Sequence, residues 1–161
     1  MKKIEYIIRE AKSNDENMLF HMQKEIAELH KNARKDLFID SFESKYTLNE
    51  LKERISKTDN GIFVPVINSK VCGYIFCDIL THEKEKQFKK KNTLYIDDLF
   101  VEREFRHSGI AKALMDRAVI YGKEHDCYDM LLNVWEFNKS AVELYKNYGM
   151  TTRTRHMEKI L

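Results

Sequence analysis

A strand, a glycine turn and a helix follow one another in the middle of the chain, and this run constrains the fold more than any other stretch. The strand is "TLYIDDLFVE", Thr93 to Glu102, and the turn is "RHSGIA", Arg106 to Ala111. From Ile110 onward, Ala113, Leu114, Ala118 and Tyr121 recur at helical spacing. A helix N-terminus carries unpaired N–H groups and the positive end of the helix dipole, so it favours anions. Gly109 lets the backbone come close to a ligand, and Arg106 adds donors matched to phosphate oxygens. A diphosphate suits such a turn. The alternative is a plain tight turn beside a surface arginine, since neither a GxGxxG turn nor a phosphate-loop lysine is present.

The flanks build one mixed α/β domain over residues 1–161. "IEYIIREA" alternates as a first strand, and Ser13 and Glu16 have the spacing of a capping box. Met18, Met22, Ile26, Leu29 and Ala33 then mark a helix to about Asn32. "RKDLFIDSFESKY" is an irregular connection. A second capping box, Thr47 and Glu50, opens a short helix with Leu48, Leu51 and Ile55 on its apolar face. "GIFVPVINSKVCGYIFCDILTH" predicts two strands around a turn at Asn68 and Ser69, with Pro65 expected on an open edge or at a strand end. "YDMLLNVWEF" predicts a strand, and Ala141, Leu144, Tyr145 and Tyr148 a helix that Gly149 ends. "TTRTRHMEKIL" predicts a closing strand. The order is β-α-α-β-β-β-α-β-α-β, with helices packed on a sheet.

Composition excludes several classes of function. The net charge is +2 with acids and bases interleaved, so no nucleic-acid partner is expected. The locally basic stretch Lys84 to Lys91 predicts a solvated loop. Cys72, Cys77 and Cys127 form no C-x-x-C pair, which argues against a disulfide framework and a zinc site and fits a reducing cytosol. The N-terminal stretch is too polar for a signal peptide, and no apolar run is long enough to span a membrane. The histidines show no metal-ligand spacing, so no metal is expected.

Two motifs in order carry a family resemblance. The first is Arg106, Gly109 and Ala111 after the central strand. The second is "NKSAVELYKNYGM", with Asn138, Ala141, Leu144, Tyr145, Gly149 and Met150, where Met150 stands in place of a usual phenylalanine. Together they closely resemble the GNAT family, the Gcn5-related N-acetyltransferases, and the order of elements resembles that family over nearly the whole chain. The resemblance implies a mixed, mostly antiparallel sheet with helices on both faces. It implies acetyl-CoA as co-substrate, with its diphosphate on the backbone N–H groups of Arg106, His107, Ser108, Gly109, Ile110, Ala111 and Lys112. It also implies that Leu99, Phe100 and Val101 offer backbone groups to the pantetheine arm, as an added strand would. Family members are often homodimers.

An amine attacks a thioester only when neutral, and alkyl amines are mostly protonated at neutral pH, so a base is needed. Within the resemblance Tyr145 is the acid for the leaving thiolate, and packing on the sheet is its alternative role. Asp97 and Asp98 lie inside an otherwise apolar strand, where a carboxylate is costly unless paired or functional. Successive strand residues point to opposite faces, so at most one of them is expected to face a given cleft. Similarity to the diamine acetyltransferases of the family points to Asp97, with Asp98 as the alternate. Asn138 either caps a helix or bonds the pantetheine. Trp135 and Phe137 are core or cleft wall.

The acceptor cleft is expected between roughly Lys31 to Tyr46 and Thr151 to Met157. There Asp36, Asp40 and Glu43 are interleaved with Phe38, Phe42 and Tyr46, as a receptor for a cationic amine or as a solvated face. Arg153 and Arg155 either bind a carboxylate or lie exposed. The leading expectation is a cytoplasmic N-acetyltransferase acting on a primary amine of a small molecule. A protein N-terminal or lysine acetyltransferase and a non-catalytic acyl-CoA-binding module are the alternatives.

Overall fold

The computed structural model describes residues 5–81 and 89–161. In chain order the elements are β1 (Ile7–Glu10), α1 (Glu16–Ala33), α2 (Leu48–Ile55), β2 (Ile62–Ile67), β3 (Lys70–Val71), β4 (Gly73–Thr81), β5 (Asn92–Val101), a single 3₁₀ turn (Arg103–Phe105), α3 (Ile110–Glu124), β6 (Cys127–Leu132) and α4 (Lys139–Asn147). The sheet runs β1-β2-β4-β5-β6, with the two-residue β3 also on β2. Every pairing is antiparallel except β5 with β6. This is the mixed, mostly antiparallel architecture expected.

Alternation along the strands sends side chains to two cores. On one face Leu19 and Met22 of α1 and Leu51 and Ile55 of α2 pack on Ile62, Val64, Tyr74, Phe76 and Phe100. On the other, Ile110, Leu114, Met115, Ala118 and Tyr121 of α3 pack on Phe63, Ile75, Cys77, Leu94 and Ile96. Burying each large aliphatic side chain contributes about 1.5–3 kcal/mol. The strand–turn–helix run from β5 to α3 thus lies at the centre of the fold.

Local details confirm some expectations and correct others. Thr47 and Glu50 form the capping box of α2, and Asn68 and Ser69 both take positive φ in the turn after β2. Ser13 does not cap α1. Asp15 takes the N-cap position, and its carboxylate instead accepts from Lys12 N–H at 2.7 Å and from Arg9 at 2.7 and 3.0 Å. Pro65 is not at an edge: it faces Ile8 across β1 and lies within β2, between β1 and β4. Its carbonyl accepts from Cys72 N–H, where β3 and β4 are interrupted, so its missing N–H falls at that break. The closing strand does not form: residues 151–161 have no strand pairing and are exposed. The strand predicted over "YDMLLNVWEF" stops at Leu132. Of the basic stretch, Lys84 to Phe88 lie outside the described residues, while Lys91 pairs with Asp129 at 2.9 Å.

Candidate active site

Two irregularities in β5 create the site. The first is its parting from β6. The parallel pairing ends at Ile96↔Leu132, so β5 from Asp97 to Val101 has no ladder partner on that side. The second is a bulge against β4: Cys77 pairs with Ile96 and Phe76 with Asp98, leaving Asp97 as the extra residue. A bulge shifts the alternation by one position. Asp97 and Asp98 therefore both engage the α1/α2 side, correcting the expectation that they point to opposite faces. Asp97 meets Lys45 and Tyr46 of the connection between α1 and α2, and Asp98 meets Tyr74 of the core beneath those helices.

The two carboxylates differ in surroundings. The Asp97 side chain is 9% exposed and holds the Lys45 ammonium at 2.5 Å on Oδ1. Its Oδ2 accepts from the Tyr46 hydroxyl at 2.7 Å, and that hydroxyl accepts from Arg54 at 3.2 Å. Arg54 is fixed in turn by Asp78 at 2.7 Å. Asp98 accepts from the Tyr74 hydroxyl at 2.8 Å. It keeps some solvent-facing area yet lies deep among its neighbours, and burial pushes its carboxyl up to about 6. Across the sheet, Tyr145 of α4 packs on the α3-side core. Burial first, and the Asp98 charge second, push its phenol up to about 12, so it keeps its proton at neutral pH.

At the far end of β5 the glycine turn is open. Gly109 has φ 87°, the left-handed region that glycine enters without strain, and nothing lies within 4 Å of where a Cβ would stand. The first α3 bond of the i→i−4 type runs from Ala113 N–H to the Gly109 carbonyl, so the N–H groups of Ile110, Ala111 and Lys112 precede the ladder. His107, at φ 61°, is exposed, and the Ser108 hydroxyl donates to the Phe105 carbonyl. Arg106 turns back: its Nε donates to the Val101 carbonyl at 3.0 Å, which occupies one backbone acceptor of β5. Lys112 is paired with Asp116 at 2.7 Å, and the Tyr148 hydroxyl donates to the same carboxylate at 2.8 Å, tying the end of α4 to α3. Leu99 is half-buried, while Phe100 and Val101 are buried. Asn138 caps α4, accepting from Ala141 N–H at 3.3 Å.

The acceptor side is made of side chains from distant segments. His30 at the end of α1 stacks on Phe38 with centroids 5.7 Å apart, and Phe38 meets Phe42 and Trp135 at 5.5 and 5.9 Å. Trp135 stacks on Phe137 at 5.6 Å. Burial, and secondarily the charge of Lys45, lowers the His30 pKa and keeps the imidazole neutral. Two of the acids expected here are already neutralised: Asp36 by Arg34 at 2.7 Å and Glu43 by Lys24 at 3.0 Å. Arg34 also holds Glu158 at 2.6 Å, and Arg153 lies 3.7 Å from Asp129, so the C-terminal segment is tied beside this aromatic wall. Lys45, Arg54, Tyr74 and His30 escaped sequence reasoning. None lies in a motif, and their roles arise only when the bulge and the connection meet. Among the described residues no group of three or more His, Cys, Asp or Glu side chains could hold a metal ion, and no helix is long and apolar enough to cross a membrane.

Comparison with known proteins agrees with this fold. An uncharacterized N-acetyltransferase of Methanocaldococcus jannaschii is 32% identical over 95 residues, 59% of this chain and 41% of that protein. N-alpha-acetyltransferase 30 of Mus musculus is 26% identical over 147 residues, 91% of this chain and 39% of that protein. The chain thus spans about two fifths of the length of these relatives. A crystal structure of a mutant BH1408 protein from Bacillus halodurans superposes with a TM-score of 0.87 at 26% identity, covering 96% of this chain and 99% of that one. The model of the acetyltransferase (GNAT) family matches residues 24–150, most of the sequence, and the chain belongs to that family.

Proposed function

We propose that the chain moves an acetyl group from acetyl-CoA to a primary amine of a small molecule. One observation carries the reading: where β5 and β6 part, Asp97 stands on one face of the sheet and Tyr145 on the other, with an open glycine turn beyond the end of β5. The residues present fit a CoA diphosphate. The space over Gly109 is free, the N–H groups of Ile110, Ala111 and Lys112 precede the helix ladder, and α3 adds its positive dipole end. The β5 backbone at Leu99 and Phe100, left uncovered by β6, is placed to take the pantetheine amides. The Val101 carbonyl is held by Arg106.

Acetyl-CoA, when bound, supplies the acetyl thioester. Asp97 takes a proton from the acceptor's ammonium. Tyr46 fixes its Oδ2, and the acceptor's ammonium displaces that of Lys45 from Oδ1. Tyr145 gives its proton to the departing thiolate, and a phenol held protonated is ready for that role. Asp98 supports the site from below, as a second carboxylate bonded to Tyr74. Asn138 positions the start of α4, which carries Tyr145. The aromatic wall on the acceptor side suits the apolar part of a compact amine. We also propose a cytoplasmic homodimer, which size-exclusion chromatography with light scattering tests.

A second reading, acetylation of protein N-termini, is favoured by the similarity to N-alpha-acetyltransferase 30 along most of the chain. The deciding experiment is a calorimetric titration with acetyl-CoA, with dephospho-CoA and ATP as controls. A panel of free amines and short peptides, followed by thiol release, comes next. Selective acetyl-CoA binding with turnover of free amines supports the first reading, and turnover of peptides alone supports the second. Absence of acetyl-CoA binding refutes both.

A further inference from the structure

A primary ammonium already sits at the parting of the strands. Lys45 Nζ lies 2.5 Å from Asp97 Oδ1 and 3.2 Å from the Asp97 carbonyl oxygen. Other lysines of the described residues pair with more exposed carboxylates: the partner of Lys24, Glu43, is 68% exposed, that of Lys112, Asp116, 48%, that of Lys91, Asp129, 24%, and that of Lys70, Glu102, 15%. Lys45 alone among these reaches a carboxylate that is 9% exposed. It extends from a connection without regular helix or strand, residues 34–46, and its side chain is 46% exposed, so it can leave the seat without unfolding an element. His30, which feels its charge, and Arg54, which reaches the Tyr46 hydroxyl, are the neighbouring basic groups, and neither contacts Asp97 directly.

We infer that Lys45 is a tethered stand-in for the acceptor: its ammonium occupies the acceptor's seat on Asp97, and when acetyl-CoA is loaded without an amine the site acetylates Lys45 itself. This rests on the function proposed above. The step balances with acetyl-CoA as the only co-reactant. Asp97 accepts one proton from the ammonium. The neutral nitrogen forms a bond to the acetyl carbon while the carbon–sulfur bond breaks. Tyr145 gives its proton to the thiolate, which leaves as CoA thiol; the second nitrogen proton restores the phenol, and Asp97 returns its proton to solvent. The product is an N-acetyl-lysine that no longer pairs with Asp97, so the seat is free for an external amine.

The test is to incubate the purified chain with acetyl-CoA alone and follow intact mass and peptide maps over time. Lys139, whose side chain is 75% exposed, is the internal reference for uncatalysed acetylation. The expected result is one acetyl group at Lys45, appearing at least about tenfold faster than at Lys139. The rate should be independent of protein concentration and suppressed by n-butylamine. Lys45→Arg, which keeps a cation but no nucleophilic amine, should remove that acetylation, and Asp97→Asn should slow it. Without acetyl-CoA, Lys45→Met should bind n-butylamine about two- to fivefold tighter than the parent chain, the scale of a displaced partly exposed ion pair. If acetyl-CoA binds and free amines are acetylated, yet Lys45 reacts no faster than Lys139, the inference fails and the proposed function stands. A rate that rises with protein concentration overturns the tethered reaction. Unchanged n-butylamine affinity in Lys45→Met overturns the shared seat. Loss of acetyl-CoA binding altogether removes the proposed function and this inference with it.

Discussion

The donor side and the acceptor side of the parting are built in different ways. On the donor side the groups that would meet a ligand are backbone: the start of α3, the left-handed Gly109 and the uncovered run of β5. On the acceptor side they are side chains from separate segments, with Lys45 and Tyr46 from one connection, Trp135 and Phe137 from another, and Glu158 from the C-terminal segment. A backbone site is fixed by local conformation and leaves a local mark, such as a glycine before a helical pattern. A side-chain site is fixed by which segments meet, and leaves no such mark. If the division is real, substitutions on one side change the acceptor's kinetics and on the other the donor's affinity.

The largest effect is expected at Asp97. Asp97→Asn keeps a hydrogen-bonding partner for Tyr46 but removes the base. Turnover should fall about 10²- to 10³-fold, with acetyl-CoA affinity changed less than about twofold. Steady-state rates and calorimetry on the same preparation check this. A parallel loss of acetyl-CoA affinity would break the division between the sides. Gly109→Val is the converse. A β-branched residue at φ 87° costs about 1–2 kcal/mol, or forces the turn to move. Acetyl-CoA affinity should drop about five- to thirtyfold, while the acceptor KM at saturating acetyl-CoA stays the same.

The same division explains what could be read in advance. The run of elements from β1 to α4, the apolar faces of the helices, the α2 capping box and the glycine turn follow from periodicity and local chemistry, and the structure has each, while the closing strand is missing. The bulge at Asp97 was not legible, because "LYIDDLFV" alternates no differently with or without one extra residue. Only the register with Phe76 and Cys77 reveals it. That single shift places both aspartates on one face. Ser13 has the spacing of a cap, but Arg9 and Lys12 recruit Asp15, a stronger acceptor, to the N-cap position. The C-terminal segment has strand-like alternation. In the described chain its identified contacts are the ion pairs of Glu158 with Arg34 and Arg153 with Asp129, and β6 offers it no ladder.

Tyr145 tests whether α4 belongs to the donor side chemically as well as spatially. Tyr145→Phe leaves the ring packed on the α3-side core and removes only the hydroxyl. Turnover should fall about tenfold or more, with acetyl-CoA affinity unchanged. A loss of affinity with normal turnover would make the phenol a binding group and Asp97 the sole acid–base residue.

The smallest effect is expected at Asp98, where the sign can be worked out. Its carboxyl titrates near 6 in the folded chain against 3.8 ordinarily, because burial disfavours the charge more than the Tyr74 hydroxyl favours it. Between those two values the folded state holds a proton that the unfolded state has lost. The contribution of Asp98 to stability therefore falls as pH rises from about 4 to about 6, and stays low above that. Asp98→Asn carries no charge and has no such penalty. The variant should match the parent near pH 4 and exceed it by about 1–2 kcal/mol at pH 7, less than the full shift implies because an amide oxygen is a weaker acceptor for Tyr74. Urea denaturation at pH 4, 5, 6 and 7 reads the difference. Paired carboxylates elsewhere, such as Asp15 and Asp129, lose stability as pH falls in both proteins and cancel in the subtraction. A constant gap between the two proteins at all four pH values would show that burial does not raise the Asp98 carboxyl in the folded chain, so that it would support Asp97 without the cost of a desolvated charge.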